Sequence, residues 1–177
     1  PTRSTAQEAI KKDVPTIVDF FNLELASKLE KEGSQADLVI ANNVLAHVPD
    51  IKNFVAALKK VLKKEGTITI EFPHLLSIIE KNEFDTIYHE HFFYFSVLAL
   101  VKIFSKYNLS IYDLDELETH GGSIRVYVAH TDSNTNKNSD KENLDRILNK
   151  EISYGLDALG YYEKLQHNAF DIKLNSL

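Results

Sequence analysis

The sequence predicts an α/β fold: a mostly parallel sheet with an antiparallel hairpin at one edge and a C-terminal helical segment. Three observations predict it. Short apolar, β-branched runs alternate with stretches of helical period over the first hundred residues, a pattern that implies a parallel sheet covered on both faces. The last two strand-like runs, "LSIYDLDEL" and "SIRVYVAH", follow one another with no helix between them. Residues 141–177 then return to apolar residues at helical spacing.

In chain order, "TAQEAIKK" has the spacing of a short helix. "VPTIVDFF" is β-branched after a proline and predicts a strand at about 15–19. "LELASKLEKEG" reads as a helix stopped by Gly33. "ADLVIAN" is a continuous apolar run of the kind buried on both faces of a sheet. "DIKNFVAALKKVLKKEG" sets Phe54, Leu58, Val61 and Leu62 on one helical face with lysines opposite and is expected to stop at Gly66. Those lysines read as a solvated face, favourably placed near a helix C-terminus. "TITIEF" is the next strand, "SVLALVKIFSKYN" a helix, and the two late strands form the hairpin. "TDSNTNKNSDKEN" is polar and reads as a loop. The organisation is therefore 1–131, a polar loop at 132–140, and a helical segment at 141–177 interrupted by Gly155 and Gly160.

Composition narrows the function classes. With 44% hydrophobic and 26% charged residues in 177, the chain can bury a core of ordinary size. A net charge of −6 gives no basic footprint for nucleic acid. No apolar run approaches the roughly 18 residues of a membrane span, so a cytoplasmic protein is expected. Without cysteine there is no disulfide framework, no thiolate zinc site and no cysteine nucleophile. Methionine is absent too, even at position 1, where the chain opens "PTRSTAQEAI".

The most informative stretch is "DTIYHEHFFYF", residues 85–95. Two histidines, a glutamate and a tyrosine sit inside an aromatic run. Buried, such groups need partners, because an unpaired polar group in an apolar site costs a few kcal/mol. In open α/β sheets ligands bind beyond the carboxyl ends of the strands. Asp19 closes "TIVD", Asn42 and Asn43 close "DLVIANN", and Glu71 closes "TITIE" just ahead of the aromatic run. If the topology holds, all face one cleft.

Four blocks in order, "ADLVIANNVLAHVPDIKNFV", "EFPHLL", "FDTIYHEHFFYFS" and "THGGSIRVY", resemble the S-adenosylmethionine (SAM)-dependent C-methyltransferases of nucleotide-linked deoxysugars. The resemblance spans roughly residues 1 to 130. It implies a partial class I methyltransferase sheet, Rossmann-like, as the C-terminal two-thirds of that domain. It implies a histidine base that removes a proton beside a ketone, and an enolate that takes the methyl group of SAM. By the same resemblance His91 is the base, Glu90 its neighbouring carboxylate, and Tyr88 a group that holds or polarises the sugar. Asn43 and His47 stand near the substrate. Asp19 accepts from the adenine amine, with Phe20 beside the ring and Asn42 at the cofactor. Gly121, Gly122 and Ser123 allow a close backbone approach, to ligand or to protein.

The residue types suit that chemistry. A carbon acid beside a carbonyl needs a base and stabilisation of developing oxyanion charge. Imidazole, with an ordinary pKa of about 6.5, is free to act near neutrality. Methyl transfer needs alignment rather than a metal.

Bland readings stand beside these. "YHEH" can be a hydrogen-bonded structural cluster. His89 and His91 share a face of an extended segment but lack the third ligand of a catalytic metal site. His47 can close a helix, the asparagines can cap the next one, and Asp19 can cap "NLELASKL". His74, His120, His130 and His167 read as structural.

Departures from the pattern carry expectations of their own. The six glycines fall at 33, 66, 121, 122, 155 and 160, so no GxGxG loop for SAM is present. The family's N-terminal zinc-binding region and its C-terminal domain are expected to lie outside the chain. The "TIVDFF" strand is then expected to pair directly with "DLVIAN" or across a homodimer, since an unpaired edge invites association. SAM affinity of this chain alone is expected to be low and the chain alone inactive. The alternatives are an O- or N-methyltransferase of small molecules, and a catalytically silent interaction module with a relic methyltransferase fold.

Overall fold

The computed structural model describes residues 2–175, with the side chains of His120 and Lys164 outside the description. Helix α1 (Arg3–Lys11) and helix α2 (Leu23–Lys31) precede strand β1 (Ala36–Asn42). Helix α3 (Ile51–Val61) leads directly into β2 (Leu62–Pro73). Short α4 (Leu75–Glu80) is followed by an irregular excursion, α5 (Val97–Ser105), and the hairpin β3 (Leu109–Leu117) and β4 (Ser123–His130). Helices α6 (Asn134–Lys137), α7 (Glu142–Tyr154) and α8 (Leu159–Asn175) finish the chain.

The sheet order is β1-β2-β4-β3. Only β1 and β2 are parallel; β2–β4 and β4–β3 are antiparallel. The α/β class and the hairpin are therefore as expected, but the sheet is mostly antiparallel. The reason lies at residues 14–20, which run as coil where a strand was expected. Pro15 has no N–H to donate to a ladder. The Thr16 hydroxyl satisfies the Val14 carbonyl locally at 2.9 Å. No ladder with β1 forms, and Ile17 and Val18 stay exposed. The strand meant to extend the parallel half is missing, so the antiparallel pairs dominate.

A second correction concerns β1. Its pattern reads as buried on both faces, yet Leu38 and Ile40 are 54% and 65% exposed. Their strand is an edge, and they sit opposite Thr67 and Thr69 of β2. The other face of the sheet carries the core. Ile68, Ile70 and Phe72 of β2 lie beside Val128, Val126 and Ile124 of β4. These pack with Phe54, Val55 and Leu58 of α3, Leu100 and Phe104 of α5, and Leu144 and Ile147 of α7.

Local chemistry explains the boundaries. The Asn22 side chain accepts from Leu25 N–H at 2.9 Å and caps α2, so Asp19 is not the cap. Asp50 accepts from Asn53 N–H at 3.0 Å and caps α3, so neither asparagine at the end of β1 does. The polar loop at 132–140 contains the short α6, capped by the buried Ser133. The C-terminal helical segment is two helices, because Gly155 adopts a left-handed conformation (φ 83°) that ends α7.

Candidate active site at the sheet rim

Two hollows open at the rim formed by the carboxyl ends of β1 and β2 and the start of β4. The first, about 610 Å³, is lined by Asn43, His47, Tyr88 and His91 with Phe72, Pro73, Glu83 and Gly121 among the rest. The second, about 420 Å³, is mainly apolar: Phe20, Phe21, Val44, Val48, Pro49 and Phe54, with His47 again at its edge. The two hollows meet at His47.

Asn43 shows how the rim is built. It sits at φ 53°, a left-handed conformation that asparagine tolerates better than most residues. Its N–H donates to the Glu71 carbonyl at 2.8 Å. The chain thus turns sharply off β1 and runs a single 3-10 turn, Leu45–His47, over the strand end. Asn43 and His47 reach the same hollow through this turn rather than along an α-helix.

Both histidines are tied to main-chain carbonyls. His91 Nδ1 donates to the Thr86 carbonyl at 3.0 Å, which fixes the proton on Nδ1 of the neutral ring and leaves Nε2 as the basic atom. That Nε2 lies 3.2 Å from the Tyr88 hydroxyl. His47 Nδ1 donates to the Glu90 carbonyl at 2.9 Å, with the same consequence for its own Nε2. The two imidazoles are stacked obliquely, with centroids 4.7 Å apart, and Tyr88 is 4.3 Å from His91. Tyr94 meets His91 edge-on at 5.7 Å.

Four expected site residues therefore converge on the first hollow: Tyr88, His91, Asn43 and His47. Phe20, 71% exposed, lines the second. Three residues do not join them. The Glu90 carboxylate lies 3.9 Å from His89 Nε2, and the partner of His91 Nδ1 is the Thr86 carbonyl. Asp19 accepts from the N–H of its neighbour Phe20 at 2.7 Å and lines neither hollow. Asn42 is exposed at the end of β1 and lines neither.

Glu71, two residues before the end of β2, lines neither hollow. It is buried and pairs with Arg125 across the ladder at 2.9 Å. The hydrogen bond that Arg125 donates to the Glu71 carboxylate holds the guanidinium above its ordinary pKa. Tyr127 donates to Asp115 at 2.7 Å, a bond that raises the phenol above its usual value.

The glycine pair approaches protein. A side chain at Gly121 would overlap the Glu83 carboxylate, and one at Gly122 would fall 2.9 Å from Ser77 Cβ. The Lys81 ammonium donates to the Gly121 carbonyl. Sequence reasoning did not single out Glu83, Asp85 or Thr86. Asp85 and Thr86 lie inside or beside the "DTIYHEH" stretch, whereas Glu83 was findable only by knowing that Gly121 packs on it. His130 and His167 make single bonds to main-chain carbonyls. Among the described residues no three His, Asp or Glu side chains converge into a metal-sized group, and no helix is long and apolar enough to cross a membrane.

Comparisons with known proteins bear on the family and the fold. Residues 4–114 match the family described as "Methyltransferase domain", and residues 118–177 match "C-methyltransferase C-terminal domain". The second match assigns the hairpin's return strand and the C-terminal helices to that domain, which was expected to lie outside the chain. The C-methyltransferase NovU of Streptomyces niveus is 35% identical over 129 residues, 73% of this chain. Those residues are 31% of that protein, so the chain spans under a third of its relative's length. In fold, the chain is similar to a SAM-dependent methyltransferase from Anabaena variabilis, with TM-score 0.53 and 14% identity. That likeness covers 72% of this chain and 65% of the other. An O-methyltransferase family protein from Burkholderia thailandensis gives TM-score 0.50 and 13% identity, covering 75% of this chain and 42% of that one.

Proposed function

Because the chain belongs to the SAM-dependent methyltransferase family, we propose that it supplies the acceptor side of a C-methyltransferase site. The acceptor is a carbon beside a ketone in a nucleotide-linked deoxysugar. The single observation that carries this reading is the orientation of His91, whose Nδ1 is committed to the Thr86 carbonyl while Nε2, the basic atom of the ring, lies at the hollow with the Tyr88 hydroxyl as its partner at 3.2 Å.

In this reading a ketosugar enters the first hollow. His91 Nε2 removes the proton from the carbon next to the carbonyl. The Tyr88 hydroxyl, within hydrogen-bond reach of that nitrogen, donates to the developing enolate oxygen. Asn43 and the second imidazole, His47, which packs against His91, hold the sugar at the same hollow. Glu90 contributes its carbonyl, which orients His47.

The second hollow fits one end of SAM. Its apolar walls suit a planar aromatic group such as adenine, with Phe20 and Phe54 as stacking and edge contacts. When bound, SAM supplies an electrophilic methyl group. The chain holds no glycine-rich loop for the methionine end. Asp19 would have to turn from Phe20 N–H to reach the adenine amine. The chain by itself therefore binds SAM weakly and is inactive, and its open β1 edge pairs with a second copy.

The test is His91→Asn in a complete enzyme that contains this sequence, assayed with isotopically labelled methyl groups. Loss of label from carbon with SAM binding intact supports the reading. Retained carbon methylation removes His91 as the base. Label found on oxygen or nitrogen would point to heteroatom methylation, which needs no enolate.

A further inference from the structure

Among the described residues, the most deeply buried histidine–carboxylate contact lies outside the hollows. Glu151, on α7, is fully buried, as is His74 at 3% exposure. One carboxylate oxygen of Glu151, Oε1, accepts from His74 Nε2 at 2.7 Å and from Val97 N–H at 2.7 Å. The other, Oε2, accepts from Leu98 N–H at 2.8 Å. Sequence reasoning took His74 as structural and passed over Glu151.

The positions of these donors are informative. His74 is the first residue after β2, and Val97 is the first of α5. Residues 75–96 leave the sheet at one and return at the other. Leu75 N–H donates to the Phe95 carbonyl at 3.0 Å, so the two feet also touch each other. The excursion carries Thr86, Tyr88 and His91. Its outer part is held by scattered bonds, Phe92 N–H to the Ala46 carbonyl and His47 to the Glu90 carbonyl, at 2.9 Å each. No helix or ladder supports residues 87–94.

We propose that Glu151 is a positioning residue: by holding both feet of the 75–96 excursion with one carboxylate, it sets where Tyr88 and His91 stand at the hollow. The physical basis is loop closure. Beyond α4 the excursion has no helix or ladder over 87–94, and pinning it at both ends removes conformational freedom that scattered bonds along it cannot. A buried carboxylate with three donors is also unforgiving, since removing its charge or a partner leaves a buried group unsatisfied. The residue comes from the region that matches the C-methyltransferase C-terminal domain. That domain would thus act on the acceptor site through a contact in the core.

The inference rests on the reading of Tyr88 and His91 as the acceptor-side pair, but its test reads backbone protection and not chemistry. Amide hydrogen exchange is measured on the chain for wild type, Glu151→Gln, His74→Leu and His74→Gln. With Glu151→Gln, the amides of His91 and Phe92 are expected to exchange at least about ten-fold faster, while those of Ile70 and Val126 in the ladder change less than about two-fold. His74→Leu should show the same selective loss, and His74→Gln, which can still donate to Oε1, should restore protection. Equal acceleration through the ladder, or unchanged protection at His91 and Phe92, would overturn the proposal. The two His74 variants decide the matter on their own if Glu151→Gln does not fold. In the complete enzyme, Glu151→Gln should lower kcat with the KM for SAM within about two-fold. A normal kcat beside a loosened excursion would spare the clamp but remove its bearing on the reaction.

Discussion

The two hollows at the rim share one wall, His47, and differ in everything else. In the first, each imidazole is fixed by a main-chain carbonyl, and the excursion that carries His91 is anchored in the core. In the second, the walls are phenylalanines, valines and a proline, and the leading aromatic, Phe20, comes from a coil segment that pairs with no strand. One region is organised before any ligand arrives; the other is a greasy half-shell. The difference teaches that the polar hollow is ordered by hydrogen bonds made within this stretch of sequence, whereas the apolar hollow is bounded mainly by side-chain surface.

The largest effect that could break the comparison is at His91. In a complete enzyme, His91→Asn is expected to lower methyl transfer by about two to four orders of magnitude, the range for a general base, with SAM affinity unchanged by calorimetry. A parallel loss of SAM affinity would mean that the two hollows are not separable. Next comes Phe54→Ala, since Phe54 lies beneath the second hollow and in the main core. A loss of about 3–5 kcal/mol in chemical denaturation is expected for a buried phenylalanine. Phe20→Ala should behave oppositely: within about 0.5 kcal/mol in stability, because the ring is exposed, but several-fold weaker for adenosine compounds in the complete enzyme. A large stability change there would show that the coil is already ordered by this ring.

The smallest effect is remote from both hollows. Burial raises the Tyr161 and Tyr162 phenols above their ordinary value where α8 packs on α4. The folded state then holds these protons more tightly than the unfolded one, so the stabilisation is present below the ordinary phenol pKa near 10 and fades as pH rises through the raised values. Tyrosinate absorbance should appear late and coincide with loosening of α8. Titration of both rings at the ordinary phenol value would contradict it.

Much of this was legible in the sequence, and the failures have physical causes. The helix that begins at 51, the hairpin and the rim location of Asn43, His47, Tyr88 and His91 follow from periodicity, strand ends and the resemblance. The helix expected to run to Gly66 ends at Val61, because residues 62–66 extend β2. The strand expected at 15–19 fails because β-branched residues make a strand only where a partner edge exists, and Pro15 and Thr16 satisfy themselves locally. Leu38 and Ile40 have the apolar character of buried strand residues, but burial depends on what lies opposite. The resemblance gives Glu90 as the carboxylate beside His91. In the folded turn its carbonyl serves His47, and Thr86, five residues before His91, takes the imidazole. The Glu151–His74 pair is 77 residues apart, beyond any local pattern.

The packing of Gly121 against Glu83 has a consequence for anyone who tries to reshape the acceptor. Gly121 sits at φ 74° with the Glu83 carboxylate where a methyl would stand, so any side chain there meets both backbone strain and that carboxylate. Randomising position 121 should return glycine alone, while substitutions at Glu83 ought to open the floor progressively. Substrate range in this scaffold would then be tuned from one bank of the contact only.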